Sequence, residues 1–586
     1  MKMKKIMTVW GMMIMLPSMV FASHTFTVTA PSGQTLYCYI YNGMAVVSFP
    51  NVNPLNPYDG YTQPVGDLVI PETVSYDGNV YYISRIDTRA FEYCSNLNSV
   101  IIPNSVTTIG YRSFANTNLT TITIPESVTM IDGCAFESTP LTTVNFNARE
   151  CTYMGSSSER VFNNSTHLST VIFGNQVKNI PDYAFYYCPS LISVSFQDSI
   201  ISIGDYAFYN CSNLTSIVIP NAVTNIGRNA FENCSGLISV TLGSSLDSIG
   251  ALAFHNCNNI ERTNYTGDIL NWCGINFLSS NANPCYHSHN LYIGNHEVIG
   301  VDIPSGVTEI KKYVFQNCIG ITSASFGDDV ISIGDGAFAN CTRLTSASFG
   351  EGIANIGNSA FMNCGIIGEL VIPQGVISIG SNGFKDCFGI TEITCLGRVA
   401  PTLGTDAFGG VDTSITVNIP CGTTNLYAGR WSYFHNFNEI PFLFNVASAD
   451  IAQGTVAMLQ EPTCDDPVAI VEASPRNGYR FDHWSDGSTA NPYTYTAMGS
   501  LTLTAYFAST QGIENIDNSG IIVYAKDYQI HIDKAFGKEV SVYTIDGRTV
   551  ASLPKSTEHV SIPVTNTGVY IVKIGDHPAR KVVVIR

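Results

Sequence analysis

Leu214-Thr215-Ser216-Ile217-Val218-Ile219-Pro220-Asn221-Ala222-Val223-Thr224-Asn225-Ile226-Gly227-Arg228-Asn229-Ala230-Phe231-Glu232-Asn233-Cys234 is the stretch that decides the fold. Ile217 and Ile219 stand two apart, so in a strand they share one side, here the inner one. Pro220 lacks an N–H donor and fits the strand's exit. Val223 and Ile226 return to the interior at turn-like spacing, and Gly227 is expected to permit a tight bend. Phe231 fills the interior beside the small Ala230. One such unit cannot bury these side chains alone, but stacked copies share a continuous core.

Outward from that stretch the register persists. Its phenylalanine recurs at Phe91, Phe114, Phe136, Phe162, Phe185, Phe208, Phe231 and Phe254, and again at Phe315, Phe338, Phe361, Phe384 and Phe408. Most gaps are 23 residues, with 22, 24 and 26 at a few joints. Each buried aliphatic or aromatic side chain contributes about 1.5–3 kcal/mol, enough over a dozen rungs to support folding. The expected class is mainly β: a solenoid of about 23-residue rungs with a parallel sheet, followed by two small β domains. Between Phe254 and Phe315 the gap is 61 residues, which reads as an insertion at about 259–300. A bulged loop is expected around Cys151–Arg160.

Composition bounds the function. The chain has 586 residues, 45% hydrophobic and only 13% charged, so Ser, Thr, Asn and Gly must supply much of the polar surface. Net charge is −18, and residues 23–510 hold 16 basic against 38 acidic side chains. That array repels polyanions, so nucleic acid is not an expected partner. Lys2, Lys4 and Lys5 precede an apolar run from Ile6 to Val20, and Val20-Phe21-Ala22 supplies small residues for a peptidase. This reads as a signal peptide, residues 1–22, cleaved near Ala22. No later stretch has the ~18 apolar residues of a membrane helix, so the mature chain is expected to lack a transmembrane segment.

The elements I-P, S-V-T-x-I-G and A-F-x-x-C, as in Ile124-Pro125-Glu126-Ser127-Val128 and Ala207-Phe208-Tyr209-Asn210-Cys211, resemble the BspA-like subfamily of bacterial leucine-rich repeats. The resemblance covers roughly residues 66–440. It implies a leucine-rich-repeat solenoid in an exported or surface protein associated with adhesion and host contact.

Nine cysteines sit three residues after the repeat Phe: Cys94, Cys188, Cys211, Cys234, Cys257, Cys318, Cys341, Cys364 and Cys387. A one-per-rung column places sulfurs about 4.8 Å apart, a geometry unsuited to neighbouring disulfides. Free, buried packing thiols are expected. Cys273, Cys285, His287 and His289 gather in the insertion without a C-x-x-C pair or H-E-x-x-H helix. A Cys273–Cys285 disulfide or plain packing is preferred over a metal, and no metal or cofactor is expected. G-x-S-x-G, P-loop and dinucleotide-binding glycine patterns are absent from the sequence. The expectation is therefore no catalytic residue and no enzyme.

Two surfaces are candidates for binding. The first is the outward strand face, read at Ser193, Ser195, Ser216, Val218, Ser239 and Thr241. It is hydroxyl-rich and nearly uncharged, either as a docking face or because such residues suit strands. The second is aromatic: Tyr183 aligns with Tyr206, and Tyr186 with Tyr209, with Tyr187 alongside. Tyrosines offer recognition area with a polar tip, while stacking between rungs is the competing reading.

Residues 23–65 read as an N-terminal β cap and 66–443 as the solenoid, closed by aromatics at Tyr427, Trp431, Tyr433 and Phe434. Residues 446–508, with Trp484-Ser485-Asp486-Gly487, resemble an internalin-B-type B-repeat module. Residues 509–520 are a polar linker. Residues 521–586 alternate like strands around the hairpin signal Asp546-Gly547 and resemble the C-terminal sorting domain of type IX secretion substrates, an ordinary β-sandwich tail being the alternative. The resemblances and the export signal together imply a secreted or outer-surface, adhesin-like protein. Its expected partners are extracellular or host proteins, with glycans as the alternative and a hydrolase less favoured.

Overall fold

The computed structural model describes residues 24–51, 57–440, 444–496, 501–509, 515–516, 521–577 and 579–584. The expected signal segment 1–22 lies outside them, as does the linker except for Ser509 and Asn515–Ile516. The described residues divide into two compact units: those up to Ile393 with Pro401–Ile415, and Thr394–Ala400 with those from Thr416 onward. Among the described residues no helix is long and apolar enough to cross a membrane.

The first unit is the solenoid. Its leading strands pair in parallel, rung on rung: Thr121–Ile124 with Thr143–Phe146, then Thr170–Phe173, then Ser193–Ser195. A second set runs Ser216–Val218, Ser239–Leu242, Arg262–Tyr265 and Leu291–Ile293. A third begins at Gly300–Ile303. Inward Ile217 and Ile219 are buried, while Ser216 and Val218 face solvent. The V-x-x-I segment is more than a turn. Its last two residues form another parallel ladder, Asn179–Ile180, Ser202–Ile203, Asn225–Ile226, Ser248–Ile249 and Asn276–Phe277. Each coil therefore carries two strands, so the hydroxyl face belongs to several short sheets of one stack.

The phenylalanine column is continuous through each run of rungs. Phe185–Phe208, Phe208–Phe231 and Phe231–Phe254 stack at centroid separations of 5.6, 5.3 and 5.3 Å, and Phe315–Phe338 and Phe361–Phe384 at 4.9 and 5.2 Å. All are buried. Offset or parallel ring pairs add about 0.5–1.5 kcal/mol each beyond area burial.

Gly227 corrects the expected reason for its glycine. Its backbone is not left-handed; a Cβ there would lie 2.5 Å from the Asp205 nitrogen and the Gly204 carbonyl carbon of the preceding rung. Gly250 repeats this, 2.4 Å from the Arg228 nitrogen. The glycine exists because two backbones pass close, not because one bends. The left-handed positions lie elsewhere, two residues before and two after the Phe: Tyr183 and Tyr187 at φ 58° and 61°, Asn229 and Asn233 at 56° and 61°. Asparagine tolerates that region, and its amide chains the rungs, as Asn256 Nδ2 donates to Asn233 Oδ1 at 2.8 Å.

The segment set apart as an insertion continues the ladder. Arg262–Tyr265 and Asn276–Phe277 pair onto the preceding rung, joined by the short helix Ile269–Gly274. Tyr265, Trp272 and Phe277 are buried there, supplying the bulk that the repeat Phe gives elsewhere. Upstream, strands Phe26–Thr29, Thr35–Tyr41 and Met44–Ser48 form an antiparallel meander that joins Asn79–Ile86 in parallel.

In the second unit, parallel strands Thr416–Pro420 and Asn436–Ile440 flank the helix Thr424–Arg430. Tyr427, Trp431 and Phe434 are buried, whereas Tyr433 is exposed. Two three-stranded sheets enclose the core of Trp484, Val471 and Leu503. Two four-stranded antiparallel sheets enclose that of Val523, Ile532, Val542 and Val572. Asn515–Ile516, inside the expected linker, pairs with Ile522–Lys526.

Candidate functional site at the phenylalanine turn edge

Every rung turns at its Phe, and the left-handed residues flanking that Phe push their side chains to the rim of the coil. In the rungs of Phe185 and Phe208 the left-handed positions hold Tyr183, Tyr187, Tyr206 and Asn210, and the residue directly after each Phe is Tyr186 or Tyr209. Tyr183 and Tyr206 stack at 5.0 Å with planes 4° apart, and Tyr186 and Tyr209 at 4.8 Å with planes 12° apart. The two stacks meet edge to face, Tyr183 against Tyr186 at 5.5 Å. The stacking read as the competing explanation is therefore present, with ring faces of the two rungs meeting each other.

Arginines bracket the array. Arg160 Cζ lies 4.3 Å from the Tyr187 ring centroid and 6.0 Å from that of Tyr186. Arg228 Cζ lies 5.3 Å from the Tyr206 ring at the other end. A guanidinium over an aromatic face contributes about 0.5–1 kcal/mol at exposed sites. Tyr187 is 45% exposed and the other four are half-buried. Burial is the main cause holding the Tyr183 and Tyr186 phenols above their ordinary pKa, helped by the neighbouring tyrosines. They are neutral O–H donors at physiological pH. Among the described residues none of the five hydroxyls has a hydrogen-bond partner in the protein, and Arg160 has no ion pair.

The strand-face candidates are less uniform. Ser193, Ser195, Ser216 and Val218 are exposed, with Val218 at 63%. Ser239 and Thr241 are half-buried, being paired with both Ser216–Val218 and Arg262–Asn264. Ser193–Ser195 closes one sheet and Ser216–Val218 opens the next, so these six positions do not form one hydrogen-bonded platform.

The cysteine column holds free, buried thiols, with burial pushing Cys257 and Cys387 up to about 12. It has a role beyond packing. In six of the nine, Sγ donates to the Phe carbonyl of the preceding rung, for example Cys234 to Phe208 at 3.2 Å, and Cys257 to Phe231, Cys341 to Phe315 and Cys364 to Phe338 at 3.1 Å; Cys211 and Cys387 do the same. Rungs without cysteine place a hydroxyl there: Ser165 donates to the preceding rung's Phe136 O at 2.8 Å, whereas Thr139 donates at 2.8 Å to the same oxygen within its own rung. Those substitutions were the sequence signal that the position is a donor.

Cys273 and Cys285 are free and buried rather than bonded to each other. Burial lowers His287 to about 4, keeping it neutral. Among the described residues no group of three or more His, Cys, Asp or Glu is placed to hold a metal. The disulfide joins Cys421 and Cys464, with Cα atoms 5.2 Å apart. Nothing in the spacing announced that pair.

One polar network has nucleophile-like order. His559 Nδ1 contacts Asp533 Oδ1, its Nε2 lies 3.0 Å from Ser561 Oγ, and Ser561 Oγ lies 2.8 Å from His531 Nδ1. Asp533–His559 and His531–Ser561 are directly opposed cross-strand pairs, His559 and Ser561 being two apart on one strand, and the His559 side chain is 54% exposed.

Residues 80–189, 156–282 and 308–440 match the model of the BspA type leucine rich repeat region. Residues 444–511 match the divergent InlB B-repeat domain, and 510–584 a domain of unknown function. No curated protein matches. Among solved structures, a leucine-rich repeat protein from Bacteroides ovatus is 20% identical over 71% of this chain and 100% of its own, with a TM-score of 0.40. A leucine rich cell surface protein from Faecalibacterium prausnitzii is 22% identical over 71% and 95%, with a TM-score of 0.29. The pneumococcal vaccine antigen PcpA is 15% identical over 71% and 99%, with a TM-score of 0.34.

Proposed function

The chain belongs to the BspA-type leucine-rich repeat family, and from that premise we propose that it is a secreted or outer-surface interaction protein, adhesin-like and not an enzyme. It binds extracellular or host proteins through the solenoid, with the tyrosine rim as the contact. The observation that carries this reading is a set of five tyrosines, four fixed as two stacked pairs and Tyr187 held under Arg160, whose hydroxyls remain unpaired. Rigid tyrosines give contact area at low entropic cost, and tyrosine with arginine is the composition of interface hot spots. The same unspent hydroxyls favour a glycan as the second reading.

Export rests on the charged, apolar start with cleavage near Ala22, and on the tail 521–586, which we assign to type IX sorting. The Ser193, Ser195, Ser216, Val218, Ser239 and Thr241 face is a secondary contact in this proposal.

Two experiments test it. Immobilised matrix and host surface proteins are titrated with the full chain and its Tyr187→Ala/Tyr209→Ala variant; the variant is expected to bind at least tenfold more weakly, and equal binding removes the rim as the contact. Protease shaving of intact cells, read by antibody, is expected to remove the chain. A protected, intracellular pool overturns the proposal.

A further inference from the structure

The way the tyrosines stack restricts what they can recognise. Flat sugar rings and prolines dock on exposed aromatic faces, but here one face of each of Tyr183, Tyr186, Tyr206 and Tyr209 is taken by another tyrosine. The outer faces of Tyr206 and Tyr187 lie under Arg228 and Arg160. The phenol O–H groups and the Arg160 guanidinium N–H groups are left without partners among the described residues. The ring edge carries the positive side of the aromatic quadrupole, and every N–H and O–H there can donate. A rim built of donors and positive edges selects an acceptor, and most strongly an anion.

The charge around it narrows the size of that anion. Asp182 and Asp205 stand beside the array, but each spends one oxygen on the next rung: Asp182 Oδ1 on the Asp205 nitrogen at 2.7 Å, Asp205 Oδ1 on the Arg228 nitrogen at 2.6 Å. Asp205 Oδ2 also lies 3.9 Å from Arg228 Nε. Among the described residues Arg160 has no such carboxylate, so its fork is free to take a bidentate partner while its Cζ lies 4.3 Å from the Tyr187 ring centroid. One free guanidinium suits one carboxylate. A polyanion would meet the field of a chain whose net charge is −18.

We propose that this rim binds the terminal acidic sugar of a glycan, its single carboxylate on Arg160 and its hydroxyls on the Tyr183, Tyr186, Tyr187 and Tyr209 phenols. This rests on the reading of the rim as the contact surface. It goes further by naming the chemistry recognised: a monoanionic glycan terminus carried by the partner.

The test compares 3′-sialyllactose with lactose, identical but for the acidic sugar, and with a heparin fragment, each titrated calorimetrically into the full chain. Sialyllactose is expected to bind at least tenfold more tightly than lactose. Arg160→Gln is expected to abolish that preference, Arg160→Lys to restore part of it, and Tyr187→Phe to weaken it severalfold. Equal binding of the two trisaccharide and disaccharide probes overturns the inference, as does a preference that survives Arg160→Gln in a folded variant. Tighter binding of heparin, falling steeply with salt, also overturns it. A separate arm treats immobilised partner glycoprotein with sialidase. Binding that persists after treatment but still needs the tyrosines overturns the acidic-sugar assignment and leaves the contact surface standing. Binding indifferent to the tyrosines overturns both.

Discussion

The rungs of Phe91 to Phe162 and those of Phe185 to Phe208 place the same backbone at the same rim, yet they spend it differently. In the earlier rungs Glu92 is buried and accepts from Arg112 Nε at 2.6 Å, with Arg89 3.2 Å away. Arg112 reaches on to Glu137, which also accepts from Asn163 Nδ2 at 2.7 Å. Arginine, glutamate and asparagine there satisfy one another from coil to coil. In the later rungs the corresponding positions hold Tyr183, Tyr186, Tyr206 and Tyr209, whose rings satisfy one another while their hydroxyls do not. Polarity alone does not mark a site on this fold. What distinguishes the two stretches is whether hydrogen-bonding capacity is consumed inside the stack.

The largest expected effect comes from breaking the consumed side. Glu92→Leu removes the buried carboxylate that Arg89 and Arg112 share, leaving Arg112 with Glu137, and losing one partner of a buried pair costs about 3–5 kcal/mol. The first unfolding transition of the full chain in urea should move to lower denaturant, while binding at the tyrosine rim stays unchanged. A variant as stable as the parent would erase the contrast between the two stretches. Next comes Thr139→Val, which keeps the shape but leaves the Phe136 carbonyl with one donor fewer; about 1–2 kcal/mol is expected. Cys234→Ser, which keeps a donor at the same position, is expected to cost less.

The comparison also shows what was legible beforehand. The Phe register, the strands and the aromatic closure at Tyr427 and Trp431 could be read, because burying a periodic face demands a periodic sequence. The second ladder could not: a strand of two residues such as Asn225–Ile226 is too short to alternate. The coil at 262–293 hid because Tyr265, Trp272 and Phe277 replace the motif with different residues doing the same filling. The Cys421–Cys464 pairing spans 43 residues with no local cue. At the rim, the five tyrosines were visible as a column, but the role of Arg160 was not. Its guanidinium comes from the preceding rung and lies over Tyr187, a neighbour set by the folding of the coils and not by spacing along the chain.

A transplant sharpens the contrast at a smaller scale. Glu92 sits one residue after its Phe and meets Arg112, two residues before the next; Tyr186 and Tyr206 occupy the same two places. Tyr186→Glu with Tyr206→Arg should therefore rebuild the ion pair among the tyrosine rungs. The double variant is expected to lie within about 1 kcal/mol of the parent, and closer to it than the sum of the single substitutions, since touching pairs couple by about 0.5–3 kcal/mol. Binding should be lost in all three. Additive losses in thermal denaturation would mean the rim positions are not equivalent.

The smallest stability change is the most informative. Tyr187→Phe and Tyr209→Phe remove only hydroxyls that have no partner in the protein. Surface changes away from packed features stay within about 0.5 kcal/mol, so neither variant should shift the melting temperature beyond that. The ring stack of Tyr186 on Tyr209 persists, since it depends on the faces and not on the oxygens. If those oxygens hold a ligand, each variant must still weaken binding, by about five- to tenfold for a neutral hydrogen bond of roughly 1 kcal/mol or a little more. A hydroxyl that stabilises the fold would move both readouts together. A hydroxyl kept for a partner moves the second alone, and that separation is the signature expected where the stack has left its donors unspent.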